Sequence, residues 1–194
     1  KFTSKRFPLH FGGLSYAFDY YEKNKKITLK VLKLLADLKY PTIFSTKGIL
    51  MSEGEYYDVL KKSAENKNFA FQFSIITNNQ EKSNLLEQGT PTIDKRFEAM
   101  KKMSDLGYWT ILRLRPYIIG ASDDDIEGLF KKASEAGCKA LSTEFFCYDI
   151  KITNEHTKMY ENISKAICLI IEKYYKKLNP SERGGYRRLN RDVK

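Results

Sequence analysis

The amino-acid sequence predicts an α/β protein built from parallel strand–helix–strand units. Three observations carry that expectation: five short apolar or β-branched runs, helical periodicity between consecutive runs, and short connections throughout. A chain of 194 residues with 42% apolar content can bury one substantial core, and 13% aromatics is too many for a disordered chain. At this level a barrel and a doubly wound sheet both remain open.

The first run, residues 7–11, ends at Gly12-Gly13. Residues 27–38 place Leu, Val and Ile at helical spacing with lysines opposite, and Pro41 stops that helix. Residues 42–45 form the second strand. Ser52, with Glu55 three residues on, reads as a capping box for a helix to about Glu65. Residues 69–76, rich in Phe and Ile, are the third strand, followed by a polar loop. Thr90 before Pro91 reads as an N-cap and first turn for a helix to Leu106, closed by Gly107. Residues 109–114 are the fourth strand, halted by Pro116. Ser122 and Asp123 to Asp125 start a helix to about Ala136, and the carboxylates suit its positive end rather than a metal. Residues 139–145 are the fifth strand, and one last amphipathic helix is expected over 154–178. The division expected is a β/α domain over 1–150 and a terminal helix with a basic tail over 151–194.

Several chemistries are excluded or disfavoured. No GxGxxG or GxxxxGK[ST] occurs, and two histidines, His10 and His156, give no support to a Ser-His-Asp triad. Cys138, Cys147 and Cys168 are too far apart for a paired metal motif. Cys138 and Cys168, in apolar stretches, read as small core residues and Cys147 as an ordinary cysteine after a strand. An odd cysteine count without a signal peptide predicts a reduced, cytoplasmic protein, and the apolar stretch 166–171 is too short to span a membrane. The net charge of +10 is concentrated at the end: residues 173–194 carry eight basic and two acidic side chains, which suits phosphate-bearing partners such as nucleic acid.

In parallel β/α folds ligands collect at the carboxyl ends of strands. There the sequence puts Gly12, Gly13 and Ser15; Ser45, Thr46 and Lys47; Ser74 and Thr77; Arg113 and Arg115; and Glu144. Small, hydroxylic and cationic groups converge, suiting a zwitterionic or carboxylate-bearing ligand.

Read in order, these strand ends resemble the radical SAM superfamily, in its spore photoproduct lyase-like, DNA repair photolyase-related branch. Phe11-Gly12-Gly13-Leu14-Ser15, then Phe18 to Glu22, is similar to that branch's second-strand segment, and Thr46-Lys47 to its third-strand pair. Phe71-Gln72-Phe73-Ser74-Ile75 resembles the fourth-strand pattern. Glu87-Gln88-Gly89-Thr90-Pro91 with Arg96 and Gly107 resembles the branch's Glu-Pro-Gly-x-Pro segment, and Arg115-Pro116-Tyr117-Ile118-Ile119-Gly120 its fifth-strand turn.

The resemblance implies a partial (β/α) TIM-like barrel carrying strands two to six of a radical SAM core. It implies S-adenosylmethionine and a [4Fe-4S] cluster as cofactors, a 5′-deoxyadenosyl radical, and a reductant such as flavodoxin or ferredoxin. Carried onto this chain, the cofactor-binding residues are Gly12, Gly13, Ser15, Lys47, Ser74 and Arg115, with Lys47 facing the methionyl carboxylate; no catalytic residue is assigned. Glu87 and Arg96 would pair internally, and Tyr16, Tyr20 and Tyr21 would pack near the site.

Two departures stand out. The branch's Cys-x3-Cys-x2-Cys loop has no counterpart in these residues; its place in the strand order is ahead of Lys1, so the sequence reads as a fragment. Tyr16 stands where the branch carries Asp. The rival expectation is a non-catalytic barrel that binds nucleic acid or protein.

Overall fold

The computed structural model describes residues 5–12, 17–18, 21–177 and 181–189. In chain order the elements are β1 (Leu9–Phe11), α1 (Glu22–Lys25), α2 (Ile27–Asp37), β2 (Thr42–Thr46), α3 (Gly54–Ser63), β3 (Phe69–Ser74), α4 (Gln80–Leu86) and α5 (Ile93–Asp105). They continue with β4 (Trp109–Tyr117), α6 (Ile126–Glu135), β5 (Ala140–Phe145), β6 (Tyr148–Asp149), α7 (Asn154–Ile167), α8 (Ile171–Lys177), β7 (Ser181–Arg183) and β8 (Tyr186–Arg188). The fold is α/β: β1 to β5 form one parallel sheet in sequence order, the arrangement that successive βαβ units give. No helix among the described residues is long and apolar enough to cross a membrane.

Two compact units divide the chain. The first comprises residues 1–75, 90–113 and 129–142. Its core follows from strand period. Phe44 lies opposite Phe71, and Phe73 opposite Leu112, so these side chains share one face of the sheet. The Phe44 and Phe71 rings stack at 5.5 Å, and Phe69 meets Phe44 edge-on at 5.4 Å. α2 buries Leu29, Leu32, Leu35 and Ala36, and α5 buries Phe97, Met100 and Met103, the stripes that a 3.6-residue repeat turns to one side. Trp109, at the outer start of β4, is 55% exposed.

The start of α2 is held by a side chain from outside it. The buried Glu22 carboxylate accepts from the Thr28 and Leu29 N–H groups at 2.9 and 3.0 Å and from the Tyr56 hydroxyl at 2.7 Å. Burial alone pushes this carboxyl up, but the bonds from Tyr56, Thr28 and Leu29 outweigh it, and its pKa falls below the ordinary value. Burial and the Glu22 carboxylate together drive the Tyr56 phenol upward.

The second unit comprises residues 76–89, 114–128 and 143–194. Here β6, β8 and β7 form an antiparallel sheet in that order, with Tyr148 opposite Arg187. Tyr148 and Tyr160 stack at 4.4 Å, and the Tyr175 hydroxyl donates to the Phe146 carbonyl at 2.5 Å.

Several expectations of detail are corrected. The residue before α3 is Glu53, which makes no side-chain cap, and the Ser52 hydroxyl donates to the Ile49 carbonyl, so there is no capping box. The N-cap of α5 is Thr92, whose hydroxyl accepts from Lys95 N–H, rather than Thr90. The Ser122 hydroxyl accepts from Ile118 N–H, while Asp125 accepts from Gly128 N–H at the start of α6. The stretch expected as one helix over 154–178 breaks at Cys168, which adopts a left-handed φ of 54°; the N–H of Ile171 then bonds to the Ser164 hydroxyl. Cys168 is exposed there rather than a core residue. Residue 178 lies outside the described residues.

Candidate functional site

In the first unit the carboxyl ends of β1, β2 and β3 bring together Gly12, Lys47 and Ser74. Gly12 closes β1 with φ at +88°, a backbone conformation that costs glycine little. Lys47 follows the last residue of β2 and is half-buried. Beside it, Gly48 has a steric reason: a Cβ there would stand 1.9 Å from the Phe18 carbonyl oxygen, so segment 17–18 rests directly on the turn after β2. The Thr46 hydroxyl, fully buried, accepts from Gly48 N–H at 2.8 Å and tightens that turn. Gly13, Ser15, Tyr16 and Tyr20 lie outside the described residues.

Ser74 is fully buried, and both its polar oxygens are engaged. Its hydroxyl accepts from Arg113 at 3.4 Å, and its carbonyl accepts from Arg96 at 2.8 Å. Arg96 is itself fully buried, on α5. The face of the sheet opposite the phenylalanines is mixed, with a polar row beside Ile43, Ala70 and Ile111. On it lie His10, Ser45, Gln72, Ser74 and Arg113, because Ser45 pairs with Gln72 and Ser74 with Arg113 in register. His10 Nε2 lies 2.7 Å from the Ser45 hydroxyl, which donates to Gln72 Oε1 at 2.8 Å. Strand order in the sequence points to Ser45, Ser74 and Arg113 but not to His10 and Gln72, whose only signal there is the two-residue alternation of β1 and β3.

In the second unit Arg115 and Glu144, at the ends of β4 and β5, form a direct ion pair through Arg115 Nη2 and Glu144 Oε2. Thr77 is buried, and its hydroxyl accepts from Asn79 N–H at 3.1 Å. The acidic run is absorbed by local structure. Asp123 accepts from Gly120 N–H at 2.6 Å, Asp124 pairs with Lys82 at 3.1 Å, and Asp125 accepts from Asn78. The Lys82 and Asn79 hydrogen bonds hold the Asp124 carboxyl below its ordinary range.

Elsewhere in this unit Asp149 accepts the Tyr160 hydroxyl and lies 3.7 Å from His156 Nδ1; burial first, and that carboxylate second, drive the Tyr160 phenol upward. A cavity of about 430 Å³ opens beside Tyr148, Tyr160, Ile170 and Ile171.

The basic end is partly committed to structure. Arg187 pairs with Glu182 at 3.0 Å and lies over the Tyr148 ring, Lys176 pairs with Glu172 at 2.8 Å, and Arg188 lies over Tyr186. Arg191 and Lys194 lie outside the described residues.

Metal ligands are the last element to place. Cys138 Sγ accepts from Leu112 N–H at 3.2 Å and donates to the Ala140 carbonyl at 3.1 Å, so this thiol is engaged by backbone. Among the described residues no group of three or more His, Cys, Asp or Glu side chains could hold a metal ion. No protein-family model matches the chain, and no curated protein does.

Proposed function

We propose that this chain is the cofactor-positioning part of a radical SAM-type β/α core, a TIM-like partial barrel that binds S-adenosylmethionine and acts in a reaction related to DNA repair lyases. The observation that supports the reading is the meeting of Gly12, Lys47 and Ser74 at the carboxyl ends of three adjoining parallel strands. On this reading Lys47 supplies a point charge to the methionyl carboxylate, and the positive φ of Gly12 lets backbone approach the ligand's amino group. Arg113, half-buried and donating to the Ser74 hydroxyl behind it, is the polar group at this strand end that orients the ligand. Bound there, S-adenosylmethionine would supply radical chemistry, one electron from an external donor splitting it into methionine and a 5′-deoxyadenosyl radical.

The described residues do not fit a [4Fe-4S] cluster, since they offer no group of thiolates and the Cys138 thiol is tied to backbone. The proposal therefore gives this chain no cluster ligand and no electron-transfer step.

Equilibrium dialysis of the 194-residue chain against labelled S-adenosylmethionine tests it. Saturable binding is expected, weakened about tenfold in Lys47→Ala, the loss of one charge-assisted contact. A chain that binds no cofactor at millimolar concentration, yet keeps a salt-dependent affinity for DNA, would instead be the nucleic-acid-binding module that its basic end suggests.

A further inference from the structure

The cavity of about 430 Å³ in the second unit falls within the range of small-molecule sites, roughly 300–1,000 Å³. Its inner wall is Tyr148, Tyr160 and Ile171, all buried, and its rim includes Ile152 and Ile170, 44% and 56% exposed. Tyr148 is only 2% exposed, yet its hydroxyl has no hydrogen-bond partner among the described residues. The ring is packed by Tyr160, stacked at 4.4 Å, and by Arg187, 5.9 Å from its centroid. Oη is not among the unpartnered polar atoms sealed from solvent, so the open remainder of this side chain includes its oxygen, at the cavity it lines. Burial first, then the Glu172 carboxylate, push the phenol up against the opposing Arg187 charge. It therefore keeps its proton at neutral pH and can donate it.

We propose that this cavity is a binding site for a small uncharged carbonyl compound, whose apolar body packs on Ile152, Ile170 and Ile171 and whose oxygen accepts from the Tyr148 hydroxyl. A pure hydrocarbon would cover the isoleucines but take water from the hydroxyl and return no bond, which is unfavourable for a buried donor. Charge does not call for an ion. Glu172 pairs with Lys176 at 2.8 Å, Arg187 with Glu182 at 3.0 Å, and Glu161 is offset by Lys165 one helical turn on. None of these residues belongs to the strand ends of the first unit, so the inference stands apart from the S-adenosylmethionine reading.

The test is carbon-13 methyl spectroscopy of the complete 194-residue chain, labelled at isoleucine and titrated with acetophenone, ethylbenzene and benzoate. Acetophenone is expected to move the Ile152, Ile170 and Ile171 methyl signals saturably, with higher affinity than either comparator. Tyr148→Phe keeps the ring and removes the hydroxyl. It should weaken acetophenone binding about fivefold, the loss of one hydrogen bond, and leave ethylbenzene binding unchanged. Its urea midpoint should match that of the unaltered chain, because the hydroxyl has no partner in the fold to lose. A lower midpoint would mean that the hydroxyl is bonded within the protein and would overturn the proposal. Ile170→Ala, at an exposed position, should weaken acetophenone and ethylbenzene alike. Benzoate binding as tightly as acetophenone, or acetophenone affinity indifferent to Tyr148→Phe, would also overturn it. If millimolar acetophenone leaves the three methyl signals unmoved, the site does not exist.

Discussion

Replacing Arg96 with leucine is expected to destabilise the first unit by about 3–5 kcal/mol. The guanidinium is fully buried and donates to the carbonyl of Ser74, the last residue of β3. Burying a cation is costly unless hydrogen bonds such as this one offset the loss of water. Removing it leaves a buried carbonyl without that donor and a hollow where the longer side chain lay. The same change loosens the end of β3 where Ser74 meets Arg113, so ligand binding should fall with stability. Urea denaturation reads the loss as a lower midpoint at unchanged slope. Arg96→Lys should fall between the two, keeping charge but not the planar fork. A shift below about 1 kcal/mol for Arg96→Leu would mean that the guanidinium is dispensable to the strand end.

Glu22→Gln is expected to cost about 1–3 kcal/mol near neutral pH and progressively less in acid. The carboxylate serves two N–H groups at the start of α2 and the Tyr56 hydroxyl at once, work that an amide oxygen does with less charge. Its folded pKa lies below the ordinary 4.5, so the ionised form is favoured by folding. That contribution is therefore complete above the unfolded value and is lost as pH falls through the folded one. Urea midpoints of the two proteins should be well separated at pH 7 and converge below the carboxylate range. A separation that stays constant with pH would assign the loss to shape rather than charge.

The parts of the fold legible in the sequence are those whose signal is local. Alternation of phenylalanine across residues 69–74 and the leucine stripe of α2 each follow from one element's own period. α4 is invisible in the sequence pattern because Gln80–Leu86 has almost no apolar face; its start is held instead by Asn79, whose side chain accepts from Glu81 and Lys82 N–H. The basic end carries no strand signal of its own: β8 becomes a strand by pairing with Tyr148 and Asp149, more than thirty residues earlier, and β7 by pairing with β8. The carboxyl-end positions of Lys47 and Ser74 were legible from strand order. His10 and Gln72 were not, since their contact depends on the register of three strands.

The gathering of the phenylalanines on one face of the sheet bears on how the protein can be observed. Its single tryptophan, Trp109, stands more than half exposed at the start of β4, away from the Phe44–Phe71 stack. The indole is already hydrated in the folded state, so its fluorescence will change little when the core opens. Near-ultraviolet circular dichroism, fed by the packed tyrosines and phenylalanines, carries the transition instead. A flat emission curve on heating would report the address of the indole, while the sheet behind it melts unseen.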